Sequence, residues 1–138
     1  MSPATINLGF FPDWKGTHTL LFCADVEALT LLASPLLELS MSRRHEIKVH
    51  ELPFVRAHGG VSVVAQRVSV DAGALSDGAS GAFRWARSPD GWAAVLYQVR
   101  SLIDNGPGHH DYLDGPSDEV TVEFSVGEYT DELWQRQA

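Results

Sequence analysis

The segment from Ser88 to Pro107, SPDGWAAVLYQVRSLIDNGP, constrains the fold most, because both ends of a helix are written into it. Ser88 supplies an N-cap and Pro89 fits the first turn, where its missing N–H costs nothing. Trp92, Val95, Leu96, Val99, Leu102 and Ile103 recur at helical spacing and make one apolar stripe. Asn105-Gly106-Pro107 ends it: glycine or asparagine takes the left-handed closing position and proline forbids continuation. Such a helix must lay its stripe on a partner layer. That layer is foreshadowed by EVTVEFSV (119–126), whose side chains alternate, with Val120, Val122, Phe124 and Val126 on a dry face and Thr121, Glu123 and Ser125 on a wet one.

Other elements follow from the same periods. ATINLGF (4–10) and THTLLFCA (17–24) read as two strands joined by the turn-rich FPDWKG, an opening hairpin. Asp25 stands where an N-cap belongs, and Val26, Leu29, Leu32, Ala33, Leu36 and Leu37 form a second apolar face. Pro35 interrupts that helix, which must kink or restart with Ser34 as a new cap. HEIKVHEL (45–52) and VSVVAQRVSV (61–70) are rich in β-branched residues and are expected to pair; DAGALSDGASG (71–81) reads as a mobile loop, and AFRWAR (82–87) as a short strand. The predicted class is α+β: an antiparallel sheet of five to seven strands with two helices packed on one face, a single domain over residues 1–138.

At 138 residues the chain is long enough to bury roughly two-thirds of its unfolded surface without staples. Its one cysteine, Cys23, rules out an internal disulfide framework and, in the apolar run LLFCAD, is expected to be buried. MSPATINLGF has neither the basic start nor the apolar stretch of a secretory signal, and no run approaches bilayer length, so a cytoplasmic protein with no membrane association is expected.

GHHDYLDG (108–115) gathers two histidines and two aspartates between two Gly-Pro turn signals, which leaves strand length. Extended, it points His109, Asp111 and Leu113 one way and His110, Tyr112 and Asp114 the other. His109, His110, Asp111 and Asp114 are the candidate metal ligands, and a metal-binding protein or metal-dependent enzyme is the alternative reading. Adjacent histidines on opposite faces cannot chelate one ion without a bulge, and His18, His45, His50 and His58 have no diagnostic spacing. The competing reading is a hairpin closed by GPSD and joined to EVTVEFSV. No GxSxG elbow, Walker loop or GxGxxG is present, so no catalytic residue and no cofactor is assigned.

The charge is uneven. Residues 1–103 hold nine acids and nine bases, whereas residues 104–138 hold nine acids and only Arg136, so the net −8 belongs to the last quarter. Such a field repels nucleic-acid phosphates and attracts basic surfaces. Glu128, Tyr129, Asp131, Glu132 and Trp134 therefore form the candidate surface for a basic protein partner, aromatic anchors among acids. FFPDW (10–14) is a second aromatic patch, with at least one ring expected in the core. A homodimer through the short edge strand around Tyr112 is an alternative assembly.

ADVEALTLLASPLLELS, the helix SPDGWAAVLYQVRSLI, and HHDYLD followed by an alternating strand and GEY together resemble small uncharacterised bacterial α+β domains, among them immunity proteins of toxin systems. The resemblance spans roughly residues 20 to 130 as a pattern of elements, and no family residue is carried over. It implies a non-enzymatic protein that binds and neutralises a partner, and an acidic surface would suit a basic toxin such as a nuclease.

Overall fold

A computed structural model describes residues 4–129 and 131–135, the side chains of Asp131 and Gln135 excepted. Along the chain lie β1 (Ile6–Trp14), β2 (Thr17–Ala24), α1 (Val26–Ser40), β3 (Glu46–Lys48), β4 (Val55–Ala57), β5 (Ser62–Arg67), β6 (Gly73–Ser76), β7 (Ala82–Arg87), α2 (Pro89–Asn105), β8 (His109–Tyr112), β9 (Thr121–Val126) and α3 (Asp131–Gln135). The α+β class holds. The single antiparallel sheet does not: the nine strands among the described residues form two mixed sheets, ordered β4-β1-β2-β9-β8 and β3-β5-β7-β6. β1 with β4, β2 with β9, and β5 with β7 run parallel, and the remaining pairs are antiparallel. Alternation along a strand reports which face is dry but not the direction of its neighbour, which is why the parallel pairs were invisible in the sequence.

α1 and α2 begin as their caps dictate. The Asp25 carboxylate accepts the Ala28 N–H at 2.8 Å, and the Ser88 hydroxyl accepts the Gly91 N–H at 3.1 Å. Gly106, at φ +77°, closes α2 and donates its N–H to the Leu102 carbonyl. α1 runs unbroken through Pro35, so Ser34 is not a cap. The carbonyl left without a helical donor belongs to Leu31, on the exposed side, where water can serve it. Leu37, expected inward, is exposed, while Leu29, Leu32, Leu36 and Leu39 are buried.

α1 and α2 pack on each other and, with the inner faces of both sheets, enclose one continuous core. At its centre Phe22 stacks on Phe124 at 4.4 Å, and Trp85 meets Trp92 edge-on at 4.9 Å. Trp92 also satisfies its indole by donating to the Gln66 carbonyl at 2.9 Å.

Three shorter readings change. HEIKVHEL breaks after Lys48 into a 3-10 turn, although β3 does pair with β5 as expected. The expected loop 71–81 contains β6, fixed against β7, where the Asp118 carboxylate accepts the Ala74 N–H at 3.0 Å. A third correction concerns β9: its supposed wet face is covered, with Glu123 and Ser125 both buried.

Candidate functional site

What covers β9 is a second, smaller cluster on the outer face of the five-stranded sheet. Directly paired residues share a face, so the pairing register writes that face out: Asn7, Gly9 and Phe11 on β1, Thr19, Leu21 and Cys23 on β2, Thr121, Glu123 and Ser125 on β9, His110 and Tyr112 on β8. α3 folds back over one half. Trp134, Phe11 and Leu21 form its buried centre, with Trp14, Cys23, Tyr129 and Leu133 around them. Gly9 makes room, since a Cβ there would stand 2.8 Å from the Trp134 ring. Of the FFPDW patch, Phe11 is thus buried in this cluster while Phe10 packs against the main core, and Trp134 is a packing residue at 5% exposure rather than an exposed anchor.

The other half of the face stays open as a polar cleft of about 260 Å³. Its floor is Glu123, beside the hydroxyls of Thr17, Thr19 and Thr121; Tyr112 and Asp114 line the β8 side, Trp14 and Lys15 the hairpin side. The hairpin reaches this position through an irregularity: the β1–β2 register shifts between Phe11 and Trp14, and Asp13 (φ +59°) and Lys15 (φ +51°) take left-handed backbone that side chains rarely adopt. Such strain persists only where surrounding contacts fix it, and it is enriched at ligand clamps.

The contacts fixing Lys15 are explicit. Its Nζ donates to the Tyr129 hydroxyl at 3.1 Å and lies 4.0 Å from Glu123 Oε2, and the Tyr129 hydroxyl donates to the same Oε2 at 3.4 Å. The Tyr129 hydrogen bond, helped by the Glu123 charge, holds the Lys15 ammonium above the usual lysine range against the opposing effect of desolvation. Burial pushes the Tyr129 phenol up in turn. Glu123 itself is 0% exposed, and its second oxygen, Oε1, has no hydrogen-bond partner. A buried carboxylate oxygen without a donor is expensive, and here it belongs to a residue that lines a cleft.

The sequence-derived candidates fall on two sides of β8. His110 lies on the outer face and donates Nδ1–H to Glu128 Oε1 at 2.9 Å, an oxygen that also accepts the Ser125 hydroxyl at 2.8 Å. Asp114 reaches the cleft. His109 and Asp111 lie on the opposite face, His109 beside the Gly106 carbonyl and Asp111 accepting from Gln98 of α2 at 3.1 Å. Among the described residues no group of three or more histidine, cysteine, aspartate or glutamate side chains is placed to hold a metal ion. Of the candidate partner surface, Glu128 and Glu132 are exposed, Tyr129 is half-buried, and the side chain of Asp131 lies outside the described residues, as does Arg136. Lys15, Thr17, Thr19, Thr121 and Glu123 were missed as site residues; the available signal was one acid, Glu123, set between Val122 and Phe124 in a strand whose other residues are uncharged.

Among the described residues no helix is long and apolar enough to cross a membrane. Comparison with protein-family models, with curated proteins and with solved structures gives no significant match.

Proposed function

We propose that this protein is a non-enzymatic binding module that meets a basic protein partner with the outer face of its five-stranded sheet, in the manner of an immunity protein. The observation that carries this reading is where the surplus acid sits. Asp114 and Glu128 flank β8, Glu123 floors the cleft and Glu132 stands exposed on α3, so four of the nine acids of the last quarter lie on or beside this face, while Asp111 lies on the opposite face and Asp118 and Glu119 bond to β6. A negative face of this kind steers cationic partners and repels phosphate backbones. Tyr112, 38% exposed at the sheet edge with its ring against His110, supplies the aromatic contact that the buried Trp134 does not.

The test is co-purification from the protein's own host, wild type beside Asp131→Lys with Glu132→Lys. Support is an identified basic protein, retained by the wild type, lost from the charge-reversed variant, and weakened at least about tenfold when salt rises from about 0.1 to about 0.5 M. A partner that is held equally by both proteins and is indifferent to salt removes the reading.

A further inference from the structure

We propose that the cleft between β8 and the β1–β2 hairpin seats a single arginine side chain of the partner, its guanidinium donating to Glu123 and Asp114. This rests on the protein-binding reading and assigns the chemistry at its centre.

Three observations lead there. The first is the unpartnered Oε1 of the buried Glu123, a residue that lines the cleft and whose carboxylate is an acceptor. Its twin, Oε2, is already served by Tyr129 and Lys15. What is missing is therefore a donor, not an acceptor. The second is charge: Lys15 offsets one of the two carboxylates, Glu123 and Asp114, leaving the cleft with one surplus negative charge, which one monocation neutralises. The third is shape. At about 260 Å³ the cleft is several times the roughly 30 Å³ share of a water molecule, and it has the rings of Trp14 and Tyr112 at its sides.

A guanidinium fits these conditions better than an ammonium. Its five N–H donors lie in a plane and can reach both carboxylates and the threonine hydroxyls together, while its faces stack on aromatic rings. An ammonium is a compact, strongly hydrated point charge with no planar face to lay on the rings and no fork of donors to bridge two carboxylates. A peptide that carries the arginine also brings carbonyl groups, and Trp14 has an indole N–H that is buried without an acceptor.

The experiment is an NMR titration of the whole chain with Nα-acetyl-L-arginine methylamide, following the Trp14 indole and the β8 and β9 amides. Saturable shifts confined to the cleft are expected. The matching lysine amide should bind at least about tenfold more weakly, and Glu123→Gln and Asp114→Asn should each weaken the arginine amide about fivefold. Asp114 is exposed, so that variant keeps the test valid if Glu123→Gln misfolds. No saturable shift at concentrations that fill a millimolar site, equal binding of the lysine amide, or affinity unchanged in Asp114→Asn would each overturn the assignment. A host partner that ignores charge reversal on α3, with the arginine amide still seated, removes the protein-binding reading and leaves the cleft chemistry standing. A salt-sensitive basic partner with no arginine amide bound does the reverse.

Discussion

The imidazole of His58 lies 4.7 Å, centre to centre, from the indole of Trp134, and its Nε2–H is donated to Asn7 Oδ1 at 2.8 Å. The ring is partly shielded, and burial, then the positive charge of Arg56, holds its pKa below the usual histidine value. Between that lowered value and the unfolded value near 6.5, only the unfolded chain takes up the proton, so acidification favours unfolding. Thermal stability should fall as pH drops below about 6.5. His58→Gln, which keeps a donor for Asn7 and cannot titrate, should flatten that part of the profile in melting curves taken from neutral to mildly acidic pH.

Gly9 should be intolerant of a side chain for a local reason. A Cβ there would also stand 3.0 Å from the Phe11 ring, besides the clash with Trp134. Gly9→Val should cost about 1–3 kcal/mol, displace α3, and red-shift the tryptophan emission while far-UV dichroism stays near that of the wild type. Unchanged emission would mean that α3 does not depend on this fit.

Asp71 grips Arg87 with two hydrogen bonds, at 2.8 and 3.1 Å, and accepts the Ser88 N–H at the start of α2. The Arg87 hydrogen bond, with help from the Ser88 N–H, holds the Asp71 carboxyl below the usual carboxylate range against the opposing effect of desolvation. Its contribution is therefore present above the unfolded value near 3.9 and is lost as pH falls through the folded value. Because Arg87 is only 5% exposed, Asp71→Asn strands a buried cation and should cost about 3 kcal/mol in urea unfolding at neutral pH.

Cys23 should be chemically quiet. Burial, then the negative charges of Glu123 and Glu128, push its thiol up to about 12. At pH 8 the folded protein should resist iodoacetamide at least about tenfold better than the urea-unfolded chain, which mass spectrometry can follow directly.

The parts of this molecule that were legible in the sequence are those whose signals are local. Asp25 and Ser88 announced their helices, Gly106-Pro107 closed α2, and the β1–β2 hairpin was visible in its turn residues. β6 was hidden because Gly73-Ala74 looks like loop chemistry, yet Gly73 is there so that Asp118 can approach the backbone. The outer face was misjudged because its cover comes from α3, five residues long and too short for helical periodicity to show. Glu123 then reads as solvated, whereas the fold buries it. The cleft needs β1, β2, β8 and β9 together, and residues from 14 to 123 converge there with no common spacing.

The place of β2 has a consequence for biosynthesis. It ends at Ala24, and the strand on its far side, β9, begins at Thr121. On the ribosome, the hairpin must wait with Leu20, Leu21 and Phe22 along an unpaired edge while roughly a hundred more residues are made, about 5–20 s at ordinary elongation rates. The five-stranded sheet, and with it the cleft, closes only once β9 has been made. Until then the nascent chain presents a sticky edge to chaperones, and a product truncated before Val126 keeps it.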